Sequence, residues 1–173
     1  MFFLKSKFCK FFLVSTFLCL SQFSFAQQDV IEEIVVTGSY IKTSSKNDTS
    51  PVDIILRDEI DSIGAFLTSD IIKNLSINSG SENNTDAFTS GSTQGTSNVN
   101  LRGLGLSSTL VLIDGRRQTV TGATANDGSV FVNTSTIPLI AIQRVEVLKE
   151  GAASIYGSDA VAGVVNYIFR RDF

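Results

Sequence analysis

The segment Thr109–Ile113 (TLVLI) constrains the fold more than any other part of this chain. It is apolar at successive positions and therefore on both faces of a strand, which is typical of a strand buried inside a sheet. Asp114-Gly115 follows directly, and this dipeptide is the strongest short-range signal for a β-hairpin. We therefore expect a central buried strand that turns at Asp114-Gly115 and returns over Arg116–Val120.

Short strand and helix patterns alternate through the rest of the sequence. Strands are expected at Val52–Leu56, Arg144–Glu150 and Val164–Phe169, and helical turns at Asp58–Ile63, Ser69–Leu75, Ile137–Ile142 and Gly151–Gly157. Thr68 or Ser69 is expected to cap the second helix, and Pro138 to occupy the first turn of the third. This interleaving predicts a small α+β domain with a mixed sheet of four to five strands, short helices and long polar loops.

The first 26 residues have the pattern of a secretory signal peptide. Lys5, Lys7 and Lys10 form a basic region, Phe11–Leu20 is an apolar run, and Ser24–Ala26 offers small residues for cleavage. A membrane-spanning helix needs about 20 apolar residues, and this run is about half as long. We therefore expect a cleaved signal at residues 1–26, with an uncleaved anchor as the alternative. Residues 27–50 are expected to be a flexible arm, and residues 51–173 the folded domain.

Removal of this leader leaves an acidic chain without cysteine. Cys9 and Cys19 leave with three lysines, so eleven basic residues remain against seventeen acidic ones, a net charge of −6. Such a domain is a poor binder of nucleic acid. The chain has no histidine, which removes Cys-His and Ser-His-Asp catalysis and the common zinc sites. We expect no enzyme activity, no metal and no cofactor, and we interpret the acidic clusters at Glu32-Glu33 and Asp58–Asp61 as solvated surface.

Three segments form one recognisable set. They are EEIVVTG (Glu32–Gly38), VNLRGLG with TLVLIDGRR (Val99–Gly105 and Thr109–Arg117), and a long third segment over Ile137–Arg171. Together they resemble the plug domain of TonB-dependent outer-membrane receptors. The third segment is the most specific, because its glycines, Glu146, Tyr156 and Asn166 all fall in the family's pattern.

The resemblance implies that the first segment is a TonB box, which pairs as a strand with a periplasmic energy-coupling protein. The residues concerned are Glu32, Glu33, Ile34, Val35, Val36, Thr37 and Gly38. A β-branched segment on a polar tether suits such pairing, because backbone hydrogen bonds supply the affinity. The alternative is that this segment forms the first strand of the folded domain.

The resemblance also implies roles for two cations. Arg102 and Lys149 occupy positions that meet glutamates on the barrel wall of similar receptors. Glu150 follows Lys149 where many relatives have glycine, so local neutralisation by Glu150 is an alternative, as is ordinary surface charge. Turns or close backbone approaches are expected at Gly103, Gly105, Asp114, Gly115, Gly151, Gly157 and Gly163.

The function implied by the resemblance is that of a receptor plug on the periplasmic side of the outer membrane. Such a plug would occlude the barrel lumen, contribute to binding a polar small molecule such as a siderophore or carbohydrate, and couple to TonB for energised uptake. The polar loop Ser76–Asn98 is expected to contact the ligand. The sequence is expected to be truncated before the barrel. A freestanding periplasmic binding or interaction module is the alternative function.

Overall fold

A computed structural model describes residues 34–35, 37, 43–44, 52–82 and 93–171 of the chain. The expected signal peptide, most of the expected arm and residues 83–92 of the polar loop lie outside the described residues. None of the described helices is long and apolar enough to cross a membrane.

The described residues form a two-stranded and a five-stranded β-sheet with short helices. The strands are β1 (Ile34–Val35), β2 (Thr43–Ser44), β3 (Val52–Leu56), β4 (Thr109–Ile113), β5 (Arg116–Arg117), β6 (Ile142–Leu148) and β7 (Gly163–Phe169). The helices are α1 (Arg57–Ile63), α2 (Thr68–Asn74) and α3 (Ala153–Tyr156), with 3-10 turns at Leu106–Ser108, Thr134–Thr136, Leu139–Ala141 and Ser158–Ala160. β1 pairs with β2, and the larger sheet has the order β3-β6-β7-β4-β5. Its β4–β7 pair is parallel and its other pairs are antiparallel, so the predicted mixed α+β sheet is confirmed.

The main core lies between one face of the five-stranded sheet and helices α1 and α2. The helices contribute Ile60, Ile71 and Ile72 to this core, and strands β6 and β7 contribute Val145 and Tyr167. All five side chains are fully buried. Val145 and Tyr167 lie directly opposite each other in the β6–β7 pair, so both side chains point to the same face of the sheet. Burial raises the pKa of the Tyr167 hydroxyl, which has no hydrogen-bond partner among the described residues.

The segment Thr109–Ile113 forms the expected buried strand, β4, but the prediction that this strand is central in the sheet was wrong. β4 lies second from the edge, between β7 and β5. An apolar strand needs other elements packed against both of its faces. This need does not determine how many strands lie on either side of it within the sheet. The Asp114-Gly115 turn forms as predicted, with φ values of 48° and 76°. The returning strand ends after Arg117, because the polar residues that follow have no apolar face to bury.

The short helix expected over Ile137–Ile142 forms only in part. Leu139–Ala141 forms a single 3-10 turn after Pro138, and Ile142 already belongs to β6. Ile142 is fully buried in the main core. Its burial in the strand therefore ends the helical turn after three residues.

The cap of helix α2 differs from the prediction as well. The Asp70 carboxylate accepts hydrogen bonds from the backbone amides of Phe66 (3.1 Å) and Leu67 (3.0 Å), whereas the Thr68 hydroxyl donates to the Ile137 carbonyl (2.6 Å). Desolvation alone would raise the pKa of Asp70, but these bonds and the neighbouring Lys73 hold it below its ordinary value. Leu67 is the N-cap residue, and the Ser69 hydroxyl has no hydrogen-bond partner within the described residues, so neither Thr68 nor Ser69 caps the helix.

Gly163 provides a test of close packing in this fold. Its φ is 141°, and an added Cβ would collide with the Leu148 carbonyl oxygen and lie 2.8 Å from Leu101 Cδ1. We expect Gly163→Ala to lower the free energy of unfolding by about 3 kcal/mol, because backbone strain adds to overpacking. Urea denaturation measures this loss. Gly122→Ala is the control, since its Cβ would meet nothing within 4 Å, and an equal loss in both variants would contradict the prediction.

Candidate functional site

The second face of the five-stranded sheet carries polar side chains among apolar ones. In strands β6 and β7, Glu146 lies directly opposite Asn166, and the next pair towards one end of the sheet is Leu148 with Val164. Because side chains alternate along a strand, all four point away from the main core. Leu148 and Val164 pack with Ala152 and its neighbours in a second apolar cluster. Glu146 and Asn166 are therefore buried polar groups that need hydrogen-bond partners.

Thr37, which precedes all five strands of the larger sheet in the sequence, supplies such a partner. Its hydroxyl donates a hydrogen bond to Glu146 Oε2 and accepts one from Asn166 Nδ2 at 2.8 Å. The three residues are 1%, 0% and 1% exposed. A threonine 109 residues away in sequence thus completes a polar cluster on the two inner strands. We call Thr37, Glu146 and Asn166 the polar triad.

Each strand residue of the polar triad is also held from its other side. Arg144 Nε donates to Glu146 Oε1 at 2.9 Å, and the Arg144 side chain is 14% exposed. This ion pair supplies the opposite charge that a buried carboxylate requires. The backbone amide of Gly115 donates to Asn166 Oδ1 at 3.0 Å. Glu146 and Asn166 are therefore oriented by contacts that do not involve Thr37.

The Asp114-Gly115 turn is joined to the end of β7 by further hydrogen bonds. The Asp114 amide donates to the Tyr167 carbonyl at 2.9 Å, and Asp114 Oδ1 accepts from the Phe169 amide at 3.0 Å. A continuous set of hydrogen bonds therefore runs from this turn through Asn166 to Thr37. The sequence identified Asp114 and Gly115 as a turn but contained no signal for this connection.

The TonB-box-like segment is described at three positions. Ile34 and Val35 form β1 and pair with Ser44 and Thr43, and Thr37 belongs to the polar triad. Glu32, Glu33, Val36 and Gly38 lie outside the described residues. The described part of the segment thus pairs in a small separate sheet and contacts the larger one through Thr37.

The two cations singled out by the motifs have partners within the chain. Arg102 is exposed with a φ of 59°, and its Nη2 donates to the carbonyls of Val161 (3.3 Å) and Ala162 (3.0 Å). Lys149 Nζ forms an ion pair with Asp53 Oδ2, not with Glu150. The pairing of β3 with β6 places Asp53 opposite Val147 and so brings its carboxylate within reach of Lys149.

Two of the glycines expected at turns, Gly151 and Gly163, lie close to residues that contact or adjoin these cations. Leu101 and Leu148, which precede Arg102 and Lys149, both lie against Gly163, and a Cβ on Gly151 would lie 3.0 Å from the Val161 carbonyl oxygen. Positive φ values occur at Gly103, Gly105, Gly115, Gly157 and Gly163. The structure therefore gathers Arg102, Gly151 and Gly163 around the segment that precedes β7.

A polar cleft that the sequence did not indicate lies beside the sheet. Its volume is about 310 Å³, and it is lined by Gln118, Thr119, Thr121, Val132, Asn133, Thr136 and Ile137. Five of the seven lining residues carry amide or hydroxyl groups, and Val132 and Ile137 contribute apolar surface. Within the described residues no group of three His, Cys, Asp or Glu side chains is arranged to hold a metal ion.

Comparison with known proteins decides the family. The sequence model of the TonB-dependent receptor plug domain matches residues 44–164. The chain belongs to the TonB-dependent receptor plug domain family. The matched residues include strands β3, β4, β5 and β6 and the first two residues of β7. Asn166 follows the matched residues, and Thr37 and the TonB-box-like segment precede them.

Individual relatives are much longer than this chain, which spans about a fifth of their length. An iron-regulated outer membrane virulence protein of Vibrio cholerae is 30% identical over 161 residues, which cover 90% of this chain and 23% of that protein. The siderophore receptor PirA from Acinetobacter baumannii has a TM-score of 0.55 at 25% identity, covering 75% of this chain and 18% of that one. The unliganded ferric citrate transporter FecA shares the fold with a TM-score of 0.56 at 24% identity, over 73% of this chain and 18% of that one.

The burial of Glu146 predicts that its removal destabilises this plug domain strongly. In Glu146→Ala, Arg144 and Asn166 each lose a partner, so we expect the free energy of unfolding to fall by about 3 kcal/mol or more. Glu150→Ala is the matched control, because Glu150 is exposed and should change the value by less than about 0.5 kcal/mol. Urea denaturation followed by circular dichroism measures both, and similar values would contradict the role assigned to Glu146.

Proposed function

We propose that this chain acts as the plug of a TonB-dependent receptor at the periplasmic side of the outer membrane. In this role it occludes the lumen of a β-barrel, contributes to ligand binding and couples to TonB for energised uptake. The observation that carries the proposal is the family match over residues 44–164, with the segment Glu32–Gly38 ending five residues before it.

The surface of the domain supports enclosure by another structure. Phe66, Leu67 and Ile140 are 89%, 52% and 73% exposed. Phe66, Leu67 and Leu139 border one cavity of about 270 Å³, so these three apolar side chains form one patch, and Ile140 follows Leu139 in the chain. Soluble monomers rarely leave such side chains clustered in water. A barrel wall would cover this patch. We propose that Arg102 and Lys149 form ion pairs with residues of the same wall.

The ligand we propose is a polar small molecule of the siderophore class. A relative is iron-regulated, and a solved structure similar to this chain is a siderophore receptor. The hydroxyl and amide groups of the polar cleft and of Ser76–Asn98 suit a ligand rich in hydrogen-bonding groups. We further propose that the chain has no catalytic role, since the relatives are receptors and the sequence lacks histidine.

Strand pairing between Glu32–Gly38 and the coupling protein can be tested with Val35→Pro. Proline removes the backbone N–H and restricts φ, so we expect binding of the periplasmic domain of TonB to weaken by at least about tenfold, or about 1.4 kcal/mol. Calorimetric titration of the chain purified from the periplasm measures this change.

The control is Val35→Thr, which keeps the amide and the β-branched shape and should bind like the unaltered chain. A similar melting temperature for both variants would show that the domain remains folded. Equal affinity of the proline and threonine variants would contradict pairing through this segment.

A further inference from the structure

Glu146 and Asn166 form a site that is built before Thr37 enters it. Arg144 Nε donates a hydrogen bond to Glu146 Oε1 at 2.9 Å, and the Gly115 amide donates one to Asn166 Oδ1 at 3.0 Å. These contacts leave Glu146 Oε2, an acceptor, and Asn166 Nδ2, a donor, side by side on neighbouring strands, where the amide also donates a long hydrogen bond of 3.5 Å to the carboxylate. The two atoms are thus oriented towards one group that can donate and accept at once.

A hydroxyl is the side-chain group that satisfies both atoms. Thr37 Oγ1 donates to the carboxylate and accepts from the amide, so its single proton and one lone pair are used in full. Valine has the same shape but neither function, whereas serine has both. The site therefore recognises the chemistry of Thr37 and not only its volume.

The position of Thr37 in the chain gives this contact a consequence. It lies two residues after β1, within the segment that we propose as the TonB-interacting strand. An incoming strand that pairs through Thr37 has to take that residue out of the buried polar triad. Emptying the site leaves Glu146 Oε2 and Asn166 Nδ2 with only the long hydrogen bond between them, so each buried atom loses its shorter partner, which is unfavourable.

We propose that the Glu146–Asn166 pair is an intramolecular receptacle for the Thr37 hydroxyl, and that the coupling protein competes with this receptacle for the arm. Only the second part of this inference, the competition with the coupling protein, rests on the proposed function. A receptacle that holds most arms closed reduces the apparent affinity for the partner by the fraction of arms that are free. Weakening the receptacle should therefore release the arm and tighten binding.

The first half is tested without any partner, by amide hydrogen exchange of residues 34–44 in the full exported chain. We expect Thr37→Val to raise the exchange rate about tenfold, as for the loss of a hydrogen bond to a charged group. Thr37→Ser, the matched control, should exchange like the unaltered chain. Equal rates in the valine and unaltered chains, with the melting temperature unchanged, would overturn the receptacle.

The receptacle side is tested with Glu146→Gln. Because Arg144 needs the oxygen at Oε1, the amide nitrogen replaces Oε2 and can no longer accept the Thr37 proton. We expect the same rise in exchange rate, and no further rise when Thr37→Val is added, since both changes remove one contact. Independent, additive effects would overturn a direct contact. If the glutamine variant does not fold, the valine and serine variants decide the question alone.

Binding of the periplasmic domain of TonB tests the competition. Glu146→Gln leaves Glu32–Gly38 unchanged, so we expect its affinity to rise about tenfold in parallel with the exchange rate. Faster exchange with unchanged affinity would overturn the competition. If no variant binds TonB, the proposed function fails, while the exchange rates still confirm or overturn the receptacle.

Discussion

The rest of the structure depends on the burial of Glu146 opposite Asn166 on the two inner strands β6 and β7. Neither side chain is accessible to water, and a buried carboxylate is tolerated only when charge and hydrogen bonds compensate it. Arg144, Gly115 and Thr37 supply that compensation. The need to satisfy one cross-strand pair therefore draws together the arm, the Asp114-Gly115 turn and the centre of the sheet.

The two faces of the five-stranded sheet consequently have different roles. One face is an apolar core in which Ile60, Ile71 and Ile72 are completely buried, and its stability comes from the removal of apolar surface from water. The other face combines an apolar cluster around Leu148 with the polar triad. Hydrogen bonds are directional, so a contact of this second kind can be exchanged for another without repacking the core.

Local patterns predicted most of the elements, and the errors share a cause. β3, β6, β7, α1, α2 and α3 lie close to their expected positions, because apolar spacing and turn residues act over a few neighbours. The central place expected for β4 was wrong because strand order depends on which distant segments pair. The predicted extent of the helix over Ile137–Ile142 was wrong because Ile142 belongs to strand β6. The Thr68 cap was wrong because its hydroxyl bonds to Ile137, 69 residues away.

For the candidate site, the sequence alone determined the family, the strands that carry Glu146 and Asn166, and the residue types placed along the arm. These depend on composition and short-range order, which a linear pattern records. Only the tertiary structure decided that Lys149 pairs with Asp53, that Arg102 bonds to the carbonyls of Val161 and Ala162, and that Thr37 completes the polar triad. The physical reason is strand register: the pairing of β3, β6 and β7 sets which side chains stand opposite one another, and no local pattern encodes the distance between Thr37 and a carboxylate 109 residues away.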